Sequence, residues 1–218
     1  MKLAIIGGTG FTGTNIAREA LRRGWRVGSL SRHAPETPIP GVEYVTGSYA
    51  DASTVSSFAA GSDALIVAVH ATTDDGTSVL MPHMPTIVAA AEAAGARLGV
   101  VGGAGSSFVA EGGPRLVDTP AFQEQWKPEA LTHADILTWL QERYPAGGTA
   151  LRWFYVSPAA LYGSYAPGEA TGAYRTGGDV LVTTADGSSE ISGADFALAF
   201  VDELAEPRHE NRRFTVGH

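Results

Sequence analysis

Cysteine is absent from the 218-residue chain, and lysine occurs only at Lys2 and Lys127. The absence of cysteine excludes disulfide bonds, cysteine-ligated zinc and a thiol nucleophile, and it is compatible with a reducing cytoplasm. No apolar run approaches the roughly 18 residues that a membrane-spanning helix needs. The first residues also lack the pattern of a secretory signal peptide. We therefore expect a cytoplasmic protein without a membrane partner.

Positive charge is outweighed by negative charge, and the formal net charge is −8. This balance argues against non-specific binding to nucleic acid. Asp74, Asp75 and His83 do not form a recognisable metal spacing, so no metal is expected. The length fits one domain over residues 1–218, and we predict a core over about 1–160 with a small C-terminal substrate lobe over about 161–218. Either a monomer or a homodimer fits these observations.

Short apolar runs without polar alternation recur along the chain, at 3–7, 26–31, 42–47, 63–69, 97–103 and 151–158. Such runs are typical of strands buried on both faces of a parallel sheet. Helical patterns occur between or after them, at 12–23, 85–94, 129–143 and 192–205. The β-α-β order predicts an α/β fold with a doubly wound parallel sheet.

Three further segments depart from this rhythm. Residues 104–128 are rich in glycine and proline and carry aromatic side chains, which favours a functional lid. Residues 172–184 read as a hairpin that turns at Gly177, Gly178 and Asp179, and 212–217 read as a closing strand.

The first strand runs into the sequence GGTGFTG at residues 7–13. Gly8, Gly10 and Gly13 fit G-x-G-x-x-G, and Gly7, Gly10 and Gly13 fit G-x-x-G-x-x-G. In either register the chain turns tightly, the backbone can approach a pyrophosphate, and the following helix packs closely on the sheet. The helix N-terminus then attracts the anion. The motif predicts a Rossmann-type fold that binds a dinucleotide.

The end of the second strand indicates which dinucleotide. An acidic residue there would bind the ribose 2′-hydroxyl of NAD. This chain instead has Ser31 and Arg32, and a guanidinium can hold a 2′-phosphate through two hydrogen bonds. The pattern favours NADP(H), although an ordinary surface arginine is the alternative.

The segments GGTGFTG, SLSRH, GSYAD, DALIVAV and RLGVVGGAGS occur in this order. Together they resemble the atypical short-chain dehydrogenase/reductase superfamily, in particular its NmrA-like and biliverdin reductase B/flavin reductase branch. SPAALYG, TGAYR, ISGADFALAFVDEL and RRFTVG are similar to the C-terminal half of small atypical members. Ser48 stands where relatives usually carry aspartate. The resemblance implies a set of cofactor-binding positions: Gly7, Thr9, Gly10, Phe11, Thr12, Gly13, Ser31, Arg32, Ser48, Val69, His70, Gly102, Gly103, Ser157 and Pro158.

Standard members of the superfamily use a Tyr-x-x-x-Lys pair for proton transfer. Lys2 cannot follow a tyrosine by four positions, and residue 123, four before Lys127, is Gln123. The pair is therefore absent, and another group must supply the proton.

The remaining candidates for this role are few. They are Ser106 or the adjacent Ser107, Lys127, His133, and Tyr162 or Tyr165. A serine could bind a substrate carbonyl, a lysine could stabilise an oxyanion, and a histidine or tyrosine could donate a proton. Each type also has an ordinary structural role: a turn serine, a solvated lysine, a structural histidine or a packed tyrosine.

The sequence thus predicts an NADPH-dependent reductase acting on a flat, apolar, conjugated carbonyl, quinone or flavin-like small molecule. Such acceptors spread the incoming negative charge, so a weak proton donor suffices. Two alternatives stay open. One is a non-catalytic NADP-responsive protein like the NmrA-like relatives, and the other is an epimerase or isomerase that keeps its cofactor bound.

Overall fold

The computed structural model describes residues 1–148 and 150–218. The described strands form one sheet and are β1 Lys2–Ile6, β2 Arg26–Ser31, β3 Val42–Thr46, β4 Ala64–Val67, β5 Arg97–Val101, β6 Trp153–Ser157, β7 Arg175–Gly177 and β8 Arg212–Gly217. The α-helices are α1 Phe11–Arg22, α2 Ala52–Ala59, α3 Met84–Ala94, α4 Lys127–Arg143 and α5 Gly193–Ala205. None of these described helices has the length and apolarity to cross a membrane.

The strand order is β3-β2-β1-β4-β5-β6-β8-β7. All neighbouring strands are parallel except β7, which runs antiparallel to β8. This topology confirms the predicted Rossmann-type, doubly wound sheet. The order reverses between β1 and β4, and in such sheets ligands bind outside the carboxyl ends of the strands at this point.

Each face of the sheet buries its own apolar layer. In β1, Leu3 and Ile5 pack with the layer that includes α1 and α5, whereas Ala4 and Ile6 pack with the layer that includes α2, α3 and α4. All four side chains are at most 1% exposed. The absence of polar alternation in the sequence therefore reflects a sheet covered on both sides.

The predicted hairpin over 172–184 is wrong. Only Arg175–Gly177 forms a strand, and it pairs with β8 rather than with the residues after the turn. Those residues pair with the lid instead, because the Phe108 N–H donates to the Asp179 carbonyl (2.9 Å) and the Leu181 N–H donates to the Phe108 carbonyl (2.8 Å).

The short helix α2 is absent from the sequence-based predictions. Its signal was Asp51, whose side chain accepts a hydrogen bond from the Ser53 N–H at 2.9 Å and caps the helix. The predicted division near residue 160 stays a prediction. Within 161–218, β8 joins the main sheet beside β6, and α5 packs in the same apolar layer as α1.

Candidate active site

The glycine loop after β1 is packed so closely that larger residues do not fit. Gly7 has φ +88°, and a Cβ there would lie 2.3 Å from the Ala68 carbonyl oxygen. A Cβ at Gly13 would lie 2.2 Å from the Gly7 oxygen and 2.8 Å from the Gly8 Cα. A Cβ at Gly10 would meet nothing closer than 3.5 Å, so this side of the loop is more open.

Helix α1 begins at Phe11, directly after Gly10 as the N-cap, and no side chain caps it. The first N–H groups of a helix have no partners within the helix, and together with the helix dipole they attract an anion. The tight turn, the open side at Gly10 and the uncapped helix together fit the pyrophosphate of a dinucleotide.

The loop after β2 forms the next part of the site. The Thr9 hydroxyl donates to the Ser31 hydroxyl at 3.0 Å. A surface cleft of about 400 Å³ is lined by Thr9 and residues 31–37. Arg32 is exposed and forms no ion pair with any described residue. Its guanidinium is therefore available to an anion in this cleft.

The remaining predicted cofactor positions lie at the same edge of the sheet. Val69 follows β4 and packs against Gly7, whose added Cβ would lie 2.6 Å from the valine Cγ1. Ser157 at the end of β6 is fully buried, and its hydroxyl has no hydrogen-bond partner among the described residues. Pro158 is buried beside it, and the Ser48 hydroxyl accepts from a nearby N–H in its own loop.

Two of the candidate catalytic residues are held by neighbouring charged side chains. Ser106 is 6% exposed, and Arg213 Nη1 lies 3.4 Å from its Oγ and 3.2 Å from the Ser107 Oγ. Lys127 opens α4 and forms an ion pair with Glu124. Their catalytic roles stay predictions.

Tyr162 lies against the glycine loop. Its hydroxyl is 2.8 Å from the Thr12 hydroxyl, and its ring packs on Phe11 and Phe196. Burial raises the pKa of this phenol above its usual value. The structure therefore separates Tyr162, beside α1, from His133, which lies on α4.

Sequence reasoning missed Glu129, which joins the loop after β4 to α4. Its carboxylate accepts hydrogen bonds from the Ala71 N–H (2.9 Å) and from the N–H and hydroxyl of Thr72 (both 2.7 Å). The same carboxylate lies 3.4 Å from His70 Nδ1 and 3.3 Å from His133 Nε2. The only signal in the sequence was the Glu-x-x-x-His spacing, which places residues 129 and 133 on one face of the helix.

The contacts continue from His133 to the loop after β5. The Tyr155 hydroxyl donates to the His133 carbonyl at 3.0 Å, and the Gly103 N–H donates to that hydroxyl at 3.4 Å. Gly102 must be glycine because a Cβ there would lie 1.8 Å from the Tyr155 ring. We call His70, Glu129, His133 and Tyr155 the acid–imidazole cluster.

The two ends of this cluster differ in exposure. The His133 side chain is 7% exposed, whereas the His70 side chain is 93% exposed. Burial would raise the pKa of Glu129, but hydrogen bonds from His133, His70 and the Ala71 N–H hold that pKa well below its usual range. The hydrogen bond to Glu129 raises the pKa of His70. The cluster therefore presents an imidazole backed by an ionised carboxylate.

The fold and the glycine loop define a Rossmann protein with a dinucleotide site. The chain belongs to the NAD(P)H-binding family, whose model matches residues 7–207. This result confirms the resemblance to the atypical short-chain dehydrogenase/reductase superfamily.

Three similar proteins carry different names. The uncharacterized protein YwnB of Bacillus subtilis (strain 168) is 35% identical over 219 residues, covering 99% of this chain and 98% of the relative. A provisionally named epimerase from Bacteroides thetaiotaomicron has a TM-score of 0.84 and 32% identity, covering 100% and 96% of the two chains. A provisionally named NADH-flavin reductase from Streptococcus pneumoniae TIGR4 has a TM-score of 0.83 and 33% identity, covering 100% and 99%. The family match supports a nicotinamide dinucleotide as the cofactor of this chain.

Proposed function

We propose that the protein is an NADPH-dependent reductase of a conjugated or aromatic carbonyl, quinone or flavin-like small molecule. Trp126 and Tyr165 carry the proposal, since their rings stack with centroids 6.0 Å apart and an interplanar angle of 18°. They are 49% and 66% exposed, respectively. The stack joins the lid to the loop after β6, and exposed flat aromatic surface of this kind suits a flat apolar acceptor.

Other exposed apolar side chains occur on the same segments. Phe108 and Val109 on the lid and Leu161 after β6 are each at least 36% exposed. These side chains support an acceptor site formed by the lid and the loop after β6.

Different residues would bind the two ends of the cofactor. The glycine loop and the N-terminus of α1 would hold the pyrophosphate, and Arg32 would bind the adenosine 2′-phosphate. Gly103, Ser157 and Pro158 would form the nicotinamide end. When bound, the reduced cofactor supplies a hydride, and the protein contributes by positioning the acceptor and excluding water.

A second candidate is an epimerase that retains its cofactor, as the name of the Bacteroides structure suggests. The acid–imidazole cluster favours this reading, because proton abstraction needs an activated base. A product balance separates the two functions. An epimerase converts its substrate with no net change in NADPH, whereas a reductase consumes one NADPH for each acceptor reduced.

The test of the proposed function measures NADPH and NADH oxidation with a panel of quinones, flavins and aromatic aldehydes. We expect turnover with NADPH and one or more flat acceptors. Cofactor binding without any turnover would instead support the non-catalytic, NADP-responsive alternative.

Arg32→Ala tests the cofactor assignment. Loss of a charge-assisted phosphate contact should weaken NADPH binding about 10- to 100-fold while NADH affinity stays the same. Calorimetric titration with both cofactors measures the ratio. Arg26→Ala is the matched control, because Arg26 is also exposed on β2 but at the opposite end of that strand. An unchanged affinity ratio in Arg32→Ala would show that this arginine is not the phosphate ligand.

A further inference from the structure

We propose that His70 is the proton donor of this site and that Glu129 and His133 are its positioning residues. The inference rests on the proposed reductase function and assigns the role that the missing Tyr-x-x-x-Lys pair leaves open. It follows from three observations: where the imidazole lies in the sheet, how the carboxylate behind it is held, and which charges surround it.

The first observation is position. His70 comes three residues after the end of β4, and Ala68 and Val69 between them pack directly against Gly7 of the glycine loop. The imidazole therefore lies where the strand order reverses between β1 and β4, at the carboxyl edge that binds ligands in this fold. Its Nδ1 is directed to Glu129, and its Nε2 makes no hydrogen bond to a described residue. Nε2 is thus free to reach a bound acceptor.

The second observation is rigidity. Three hydrogen bonds from Ala71 and Thr72 hold the Glu129 carboxylate, so it cannot follow a moving imidazole. The buried His133 Nε2 lies 3.3 Å from the same Oε1. In the proposal, the fixed carboxylate 3.4 Å from His70 Nδ1 stabilises the imidazolium and favours a proton on that nitrogen, which leaves Nε2 as the reactive atom. Glu129 and His133 act through His70 and are positioning residues.

The third observation is the charge around the imidazole. Glu129 faces it from α4, and Asp74 acts on it from the loop after β4. Tyr49, from the loop after β3, interacts electrostatically with both Glu129 and Arg32. Both carboxylates favour the protonated imidazole, which is the form that can donate a proton.

His70 would supply the proton of the reduction. A bound reduced cofactor would supply the hydride, and the His70 Nε2 proton would go to the acceptor oxygen or nitrogen on which the negative charge develops. The imidazolium becomes a neutral imidazole that keeps its Nδ1 proton towards Glu129. Because the side chain is 93% exposed, Nε2 then regains a proton from solvent. The products are the oxidised cofactor and the reduced, protonated form of the acceptor.

The experiment uses two measurements: the first compares wild type with His70→Gln, Glu129→Gln and the control His83→Gln, and the second compares wild type with Glu129→Gln and His83→Gln. The first is the pH dependence of kcat with NADPH and a soluble aromatic quinone. The second is an NMR titration of the His70 imidazole in the cofactor-free protein, which does not depend on activity. His83 is a suitable control because it is another partly exposed histidine that packs on Tyr49.

We expect His70→Gln to lower kcat at least about 100-fold, the usual contribution of a positioned acid, and to abolish the alkaline fall in rate. Glu129→Gln should lower the pKa of His70 in the NMR titration and move the alkaline limb of kcat to lower pH. His83→Gln should change neither measurement. Because the His70 side chain is exposed, we expect the His70→Gln variant to fold, and a thermal scan checks this.

Two results would overturn the inference while leaving the reductase function intact. One is that the wild-type protein is active and His70→Gln has the same kcat and the same pH profile. The other is an unchanged His70 titration in Glu129→Gln. A wild-type protein that binds NADPH and reduces no acceptor would instead overturn the proposed function itself.

Discussion

Two glutamates, Glu129 and Glu203, lie in similar clusters at different places in the molecule. Each carboxylate contacts a histidine and accepts hydrogen bonds from backbone N–H groups. Glu129 stands near the start of α4, at the carboxyl edge of the sheet. Glu203 stands near the end of α5 and pairs with Arg97, the first residue of β5, at the opposite edge.

The difference between the clusters lies in what balances the negative charge. Glu203 is 3% exposed and paired with an arginine, whose charge does not change with pH and whose guanidinium packs 4.5 Å from the Phe154 ring centre. Glu129 faces two histidines, and an imidazole, unlike a guanidinium, can change its charge within the physiological pH range. The Glu203 carboxylate is therefore buried and balanced by a fixed positive charge. The Glu129 carboxylate is partly exposed, and its histidine partners can gain or lose charge. The first arrangement fits a role in stability and the second a role in proton transfer.

The largest expected effect is that of Glu203→Gln on stability. The variant leaves the buried guanidinium of Arg97 without a counter-charge, which should cost about 3 kcal/mol of unfolding free energy. For a chain of this length that corresponds to a fall in Tm of about 6–12 °C in a thermal scan. Glu206→Gln is the control, because among the described residues Glu206 forms an ion pair only with the exposed Arg208, and its replacement should change the unfolding free energy by less than about 0.5 kcal/mol. A loss of unfolding free energy in Glu203→Gln as small as that of the control would show that the Glu203 cluster does not stabilise the fold.

The pH dependence of this effect has a definite sign. Burial would raise the pKa of Glu203, but hydrogen bonds from His209 and Arg97 lower it from 4.5 to about 2. A lowered pKa in the folded state contributes stability above pH 4.5, and this contribution is lost as the pH falls towards 2. The difference in Tm between wild type and Glu203→Gln should therefore shrink over that range. A difference that stayed constant down to pH 2 would contradict the ion-pair assignment.

Glu129→Gln should have a smaller effect, about 1–2 kcal/mol, because the amide oxygen can keep some of the bonds to the loop after β4. The loop itself should loosen. Hydrogen exchange at the Ala71 and Thr72 N–H groups reports this directly, and we expect faster exchange there than in wild type. Unchanged exchange rates would show that Glu129 does not hold the loop.

The smallest effect should be that of His70→Gln on stability, within about 0.5 kcal/mol, since the side chain is exposed. The matched variant His209→Gln should lose more, because His209 stacks on Phe214 with centroids 4.0 Å apart and pairs with Glu203. Denaturant unfolding of both variants makes the comparison. Equal losses of unfolding free energy would mean that His70 contributes as much to stability as His209.

The sequence predicted those parts of the molecule that depend on local backbone constraints. The buried strands and the glycine loop follow from unalternating apolar runs and from positions such as Gly13, where no Cβ fits. The acid–imidazole cluster was not predicted, because the contact of Glu129 with Thr72 spans 57 positions and no local pattern reports it. The false hairpin has a similar cause. Glycines at 177 and 178 indicated where the chain turns, but its partner was the lid around Phe108.

Arg32 lies on an exposed loop, and its side chain supports nothing else in the described structure. Residues whose replacement costs little folding energy are the ones that can vary freely during evolution. Under the proposed assignment, a substitution at this one surface position would change the cofactor preference, whereas Gly7 and Gly13 in the loop beside it leave no room for a Cβ. On the same proposal, residues 31–37 are the place to begin a switch between the two nicotinamide dinucleotides.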